Sequence, residues 1–409
     1  MRIAIVGGGI AGLVAAHLLH PDHDITLFEA NACLGGHTHT VPVATPAGEW
    51  PVDTGFIVYN ERNYPAFTAL LARLGVATQP TSMSFSVRSD AGGFEYNGAS
   101  LNRLFGQRAN LLRPSFYRMA SDILRFGRHA PLAIRDGAAE ATLGEYARAA
   151  GYSDRFLAHY LVPMASALWS QPQQRVLEMP LVFLVQFLER HGMLRVNGRP
   201  QWRVVRGGSQ RYVEALIRPF ASQIRLGWTV RRVRRTPHGV SVDAEPFDEV
   251  VLACHADQAL ALLEDPTPAE REILSAIPYQ ANEVVLHTDP SLLPRRRQLW
   301  AAWNYHLDRD PSAPAAVTYN MNILQTLESP ETFCVTLNRA AAVAPDRVIR
   351  RLTYHHPVFT TAGVRAQTRY LEISGRHHTH YCGAYWGNGF HEDGVASADR
   401  AARAIGARA

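Results

Sequence analysis

Near its N-terminus the chain carries an unbroken apolar run, Ile3-Ala4-Ile5-Val6, which stops at Gly7-Gly8-Gly9. Such a run is the mark of a strand covered on both faces. A mostly apolar, helix-like stretch over 10–20 follows, and then a second strand-like run, Ile25-Thr26-Leu27-Phe28, which delivers Glu29. A hairpin is expected around Pro46-Ala47-Gly48. From 64 to about 200 apolar residues recur at three and four, which predicts helices over 64–74, 116–126 and 157–169, with Gly75 and Pro114 as punctuation. A helix over 210–220 precedes further strand-like runs at 224–226, 229–233, 239–242 and 249–253. Alternation returns at 283–287 and 316–319, and a last helix is expected from about Asp393 onward.

The opening segment is therefore strand, glycine turn, helix, strand and acid, in register. Gly7 permits the turn, Gly9 lets a pyrophosphate approach the backbone, Gly12 lets the helix lie on the strand, and Glu29 can bond a ribose hydroxyl. Ile10 and Ala11 open the helix, where free N–H groups favour negative charge, and Ala30 follows the acid. These features predict a dinucleotide site. With 409 residues the chain exceeds one core. The expected fold class is α/β, a discontinuous Rossmann-type nucleotide domain over 1–75, 203–268 and 376–409, with an inserted α+β substrate domain over 76–202 and 269–375.

Charge narrows the chemistry. The net charge is +5, and every Lys/Arg position is arginine, so a lysine Schiff base or lysine general base is excluded. Arginines concentrate over 103–135 (Arg103, Arg108, Arg113, Arg118, Arg125, Arg128, Arg135), interleaved with Leu, Phe and Tyr, and Asp122 is the only acid there. That segment reads either as a solvated helical face or as a peripheral contact with anionic lipid headgroups. Nucleic acid is not expected, because no binding motif accompanies the charge. Cys33, Cys254, Cys334 and Cys382 lack metal or CxxC spacing, and the histidine groups His37/His39 and His377/His378/His380 lack a third ligand at recognisable spacing. No metal is expected. Apolar runs are too short for a membrane span, no signal-cleavage pattern follows His20, and a cytoplasmic location is the expectation.

The motif order resembles the flavin-containing amine oxidase superfamily, whose members include amine oxidases, carotenoid desaturases and fatty-acid double-bond isomerases. The resemblance runs through Gly7, Gly9, Gly12 and Glu29, then Gly35-Gly36-His37, the pair Gly207-Gly208, and Gly383 with the 389–395 segment. It implies FAD as cofactor. On this resemblance Thr54, Gly55, Phe56 and Ile57 line the isoalloxazine, Val230 backs the adenine side, and Gly383, Glu392 and Val395 meet the flavin near the last helix. Two departures weaken the phosphate contact: His37 replaces the usual arginine, and Cys33 stands where many members carry another. Amine oxidases of the superfamily place a lysine beside the flavin, and this chain has none. The phrases 36–40, 53–65 and 382–387 resemble a narrower group, the oxidase-like domain associated with cyclopropane fatty acid synthases. That implies a lipid acyl substrate and a methyltransferase partner.

Tyr59, Tyr385, Phe390 and His391 are the catalytic candidates: Phe390 as an aromatic wall, His391 as a base or else a structural histidine at the helix start. Trp303 and Tyr305 would share one strand face, Asn304 and His306 the other. Cys382 reads as a small buried residue rather than a flavin attachment point. The expected function is FAD-dependent desaturation of an acyl chain or a shift of its double bond. Oxidation of a small amine and a non-catalytic role beside a methyltransferase are the alternatives.

Overall fold

The computed structural model describes residues 1–406 apart from positions 91, 196, 309 and 311. Its central sheet is built from β1 (Arg2–Val6), β2 (Asp24–Glu29), β3 (Ile224–Leu226), β4 (Glu249–Leu252) and β5 (Thr379–Tyr381). These pair in parallel in the order β3-β2-β1-β4-β5, the doubly wound arrangement that binds dinucleotides at the carboxyl ends of its strands. The apolar run of β1 is explained by its neighbours: Ile3 and Ile5 face one helical layer, Ala4 the other side, and all three are fully buried.

Helix Ile10–Leu19 covers one face together with the last helix, His391–Ile405. They touch closely because Gly394 lies against Ile10, where a Cβ would come within 2.8 Å of the isoleucine side chain. The last helix starts two residues before the expected Asp393. Asp393 accepts the N–H of Phe390 at 2.9 Å and so caps a helix that opens at His391.

A seven-stranded mixed sheet forms the second layer system, in the order Val348–Pro357, Tyr279–His287, Cys334–Leu337, Ala316–Asn320, Trp303–His306, Phe85–Ser89 and Phe94–Asn97. Helices Pro114–Arg135, Val162–Trp169 and Leu181–Arg190 cluster with part of this sheet around Phe116, Met119, Phe126, Phe156 and Leu184. A three-stranded sheet, Val58–Asn60, Trp202–Val205 and Thr78–Thr81, joins the return of the chain to its outward path.

Further elements differ from the sequence pattern: the helix expected over 116–126 runs from Pro114 to Arg135. The 229–233 run is not a strand, since Asp243 Oδ1 takes the N–H groups of Arg231 and Arg232 that a ladder would need; the strand is Val233–Thr236. The expected helix over 157–169 opens as a π-turn, Leu157–Leu161, before Val162–Trp169. No helix among the described residues is long and apolar enough to cross a membrane.

Candidate cofactor and substrate site

The first glycine loop is shaped by backbone contacts that tolerate no side chain at two points. Gly7 has φ +113°, and a Cβ on Gly12 would lie 1.8 Å from the Gly7 carbonyl oxygen. Gly9 differs, because nothing lies within 4 Å of its would-be Cβ. The open side of the turn is thus at Gly9, at the N-terminus of helix Ile10–Leu19, whose first N–H groups have no intrahelical partner.

The second glycine loop closes on the first. Gly35 donates to the Gly8 carbonyl at 2.8 Å, and Gly36 sits over the Gly9 Cα. Glu29 holds the assembly: one carboxylate oxygen accepts the Gly8 N–H at 2.7 Å and the other accepts both N–H donors of Asn31. A pyrophosphate cradle, helix N-terminus and buried carboxylate in this geometry fit FAD, with Gly9, Ile10 and Ala11 toward phosphate and Glu29 toward ribose. Val230 is buried beside Phe28 and Phe247, and Ala30 is exposed.

Next to this cradle lies a cavity of about 280 Å³. Thr54, Gly55, Phe56 and Ile57 line it, with His37 at one end. Gly55 is required there, since a Cβ would lie 2.1 Å from the His37 carbonyl, which also accepts the Phe56 N–H at 2.7 Å. His37 stacks on His356 with centroids 5.0 Å apart, and burial, helped by His255 and His355, pushes its pKa down to about 4. His356 Nδ1 takes the amide N–H of Asn282 at 2.9 Å, which places its proton on Nε2 and makes that atom a donor.

Most of the rest of the lining is apolar, including Met83, Phe85, Leu168, Trp169, Phe187 and Phe390, with Ser84, Ser170 and His191 among the polar groups. Phe390 stacks on Phe187 at 4.9 Å. Of the strand pattern at 303–306, Trp303 reaches the cavity, whereas Asn304 is spent on Ala301 and Thr318 carbonyls and His306 on the Thr318 hydroxyl. No carboxylate lines this space among the described residues, and the one permanently charged lining group is Arg199, exposed to solvent.

Three candidates, Tyr59, Tyr385 and Glu392, lie outside the cavity lining. Tyr59 is buried among Tyr64 and Phe67 beneath the cradle, away from the cavity lining. Tyr385 packs on Trp386 in the opposite core and does not line the cavity; Gly383 is needed beneath it, because a Cβ there would strike the Tyr385 ring at 2.3 Å. The Glu392 carboxylate accepts the N–H groups of Ala66 and Phe67, so it caps helix Pro65–Arg73. Val395 lies in the core between helices. His391 does face the cavity, but its Nε2 is bound by the Thr38 and Tyr212 hydroxyls at 2.9 and 3.0 Å, and its ring stacks on Phe56. Burial drives its pKa well below the usual imidazole value. It is a neutral, positioned ring rather than a free base.

Sequence reasoning missed Tyr354, His356 and Arg199. Tyr354 and His356 lie two apart on strand Val348–Pro357, a spacing that puts both on one face, and Tyr354 bonds the Thr54 hydroxyl at 2.8 Å. Nothing local marks Arg199.

The family model for flavin containing amine oxidoreductase matches residues 10–316. The chain belongs to this family. FAD is accordingly its cofactor, and the residues of the cradle described above would hold it. Among curated relatives, an L-amino-acid oxidase from Siganus canaliculatus is 25% identical over 311 residues, covering 70% of this chain and 56% of that protein. A putative flavin-containing monoamine oxidase from Mycobacterium tuberculosis is 26% identical over 321 residues, covering 74% of this chain and 62% of its own. The chain therefore spans somewhat over half the length of these relatives. Similar solved structures include cyclohexylamine oxidase from Brevibacterium oxydans (TM-score 0.70, 17% identity, 99% and 98% coverage of this chain and that one). A fatty acid isomerase from P. acnes that produces CLA superposes with TM-score 0.69 at 17% identity, covering 98% of each chain. These structures share the fold.

Proposed function

We propose that this flavoprotein is an oxidoreductase acting on a lipid acyl chain, by desaturating it or by moving its double bond. The observation that carries the reading is the cavity's composition: an apolar tunnel with no carboxylate among its described lining residues and a single cation, Arg199, at its exposed side. An ammonium substrate would meet no counter-charge and a like charge. An acyl chain would bury its methylenes, each worth about 0.8 kcal/mol, and leave its carboxylate or phosphate beside the guanidinium. The family supports the redox part, and a fatty acid isomerase of similar fold is in keeping with an acyl substrate.

When bound, FAD supplies a two-electron acceptor. In a desaturation the substrate loses two electrons and two protons as one carbon–carbon double bond forms. In a shift it loses one hydrogen with its electron pair from an allylic carbon and regains one at the far carbon of the original double bond, with no net change of oxidation state. The chain's own part is orientation. Phe390, Phe187 and Trp169 wall the chain, Trp303 closes the opposite side, and the neutral imidazoles His37 and His356 place an N–H donor beside the Thr54–Ile57 segment without adding positive charge.

Anaerobic titration of the holoprotein with unsaturated fatty acids, followed by flavin absorbance and mass analysis of the lipid, tests this. Flavin bleaching or a relocated double bond supports it. Bleaching only by amines overturns it. Bleaching only by an amino acid favours a second reading, in which Arg199 receives an α-carboxylate.

A further inference from the structure

We propose that the outer face of helix Pro114–Arg135, with the turn before it, docks on an anionic lipid surface and feeds acyl chains into the cavity beneath. The proposal rests on the acyl-chain reading only for what is delivered; the docking itself stands on the surface.

At 100° per residue, Tyr117, Leu124, Arg128, Leu132 and Arg135 fall within one stripe of about 80°. This stripe faces away from the core: Tyr117 is 49%, Leu124 49% and Leu132 52% exposed, and Leu112, just before the helix, is 86% exposed. Exposed leucines alone would mark a weak patch, but here seven arginines fall between 101 and 135. The only acid in that span, Asp122, is buried and held by Arg118 and Arg125, so it offers nothing to an approaching anion. Apolar side chains alternating with unopposed guanidiniums match a headgroup layer over acyl chains. A second copy of the same face would bring the arginines together, and a nucleic acid would leave the leucines without a partner.

The inner side of the same helix connects to the substrate space. A second cavity of about 40 Å³ lies under it, lined by Ile123, Leu124 and Phe126. Tyr160, Met164, Met193 and Arg199 line both this cavity and the large one, so the two adjoin. Gly127 lets the carbonyl of Leu194 press against the helix, where a Cβ would lie 2.4 Å away, and this keeps the 192–195 turn and the helix in one wall. Leu124 is thus both on the outer stripe and on the passage inward. Acyl chains leaving a bilayer at Leu124 would reach the flavin side with their charged ends retained at Arg199.

The test is sedimentation of the holoprotein with phosphatidylcholine vesicles, with or without phosphatidylglycerol. Binding is expected with phosphatidylglycerol and is expected to weaken with salt. Arg128→Gln with Arg135→Gln should weaken it about thirtyfold, roughly fivefold for each arginine, and Leu112→Gln with Leu124→Gln should weaken it while flavin spectrum and Tm stay unchanged. Equal partition onto neutral vesicles, wild-type partition by both double variants, or preference for an oligonucleotide over the vesicles would overturn docking. Met193→Trp, where the two cavities adjoin, should slow flavin reduction by, or double-bond relocation in, vesicle lipid without changing sedimentation; an unchanged rate overturns the passage. Vesicle binding with neither flavin reduction by, nor a relocated double bond in, any acyl chain, soluble or bilayer-held, would sink the substrate reading and leave docking supported. Flavin reduction by soluble fatty acids with no vesicle binding would do the reverse.

Discussion

Gly9 and Gly12 stand three residues apart in one motif, and the structure assigns them opposite duties that alanine substitution separates. Gly9 sits in extended backbone, φ −78°, ψ 179°, a conformation alanine adopts freely, and its would-be Cβ meets nothing within 4 Å. Gly9→Ala should leave the apoprotein as stable as before or raise stability by about 0.4–1 kcal/mol through the unfolded chain. The added methyl would occupy the space the pyrophosphate needs. Overpacking of about 1–3 kcal/mol there translates to an FAD dissociation constant weakened on the order of 10–100-fold. Gly12→Ala instead drives a Cβ to 1.8 Å from a backbone oxygen, and the helix must move off β1. Its cost should be about 3 kcal/mol or more in the apoprotein itself. Urea unfolding of both apoproteins and FAD titration by flavin fluorescence give the two readings. If Gly9→Ala destabilises the apoprotein as much as Gly12→Ala does, or binds FAD as tightly as the unaltered chain, the assignment of the open face to phosphate is wrong.

Other expectations follow from the same geometry. Asp53 is fully buried and accepts hydrogen bonds from Thr40, from the N–H and hydroxyl of Ser209, and from the Gln325 amide, so it ties the 40–53 hairpin to the turn after Gly207-Gly208. Asp53→Asn points an N–H at one of those donors and should lower the urea-derived stability by about 1–3 kcal/mol; an unchanged midpoint would argue against that tie. Burial holds the pKa of His191 at about 4, His287 at about 4 and His306 at about 3, against 6.5 for a free imidazole. Between those values and 6.5 the unfolded chain binds protons the folded one does not, so stability falls as pH falls, by about 1.4 kcal/mol per pH unit for each proton. Asp53, raised to about 6 because burial outweighs its hydrogen bonds, works in the other sense between 3.8 and 6, where its contribution falls as pH rises. Counted with His37, and set against both raised carboxyls, Asp53 and Asp393 at about 6, the lowered imidazoles are the majority; this predicts a Tm that drops below about pH 6, and a flat or rising Tm in scanning calorimetry would contradict it. Arg199→Gln should raise the apparent KM for a fatty acid several-fold with little effect on FAD binding, and an unchanged KM would remove Arg199 from the substrate's charged end.

What could be read from the chain and what could not divides by the range of the interaction. β1, the Gly7–Gly12 turn and Glu29 are legible because their constraints act within about thirty residues: a buried strand must be apolar, a turn with φ +113° must be glycine, and an acid must end the next strand. Glu392 shows where that reasoning stops. It lies in the first turn of the last helix, where an acid suits the dipole of its own helix, yet its carboxylate spans to Ala66 and Phe67, more than three hundred residues earlier, and caps a different one. His391 was visible as a titratable group at the start of the last helix, but its neutrality comes from burial, with His37 adding to it, and the groups packed on its ring, Thr38, Phe56 and Tyr212, come from three separate stretches of chain. Tyr59 and Tyr385 look chemical in sequence and lie packed in two different cores outside the cavity lining, because facing inward on a strand or loop does not say which of two cores is inward. The cavity's charge balance is the least legible property of all: it depends on which carboxylates the fold keeps away from one wall, and a sequence records the acids present without recording where they are not.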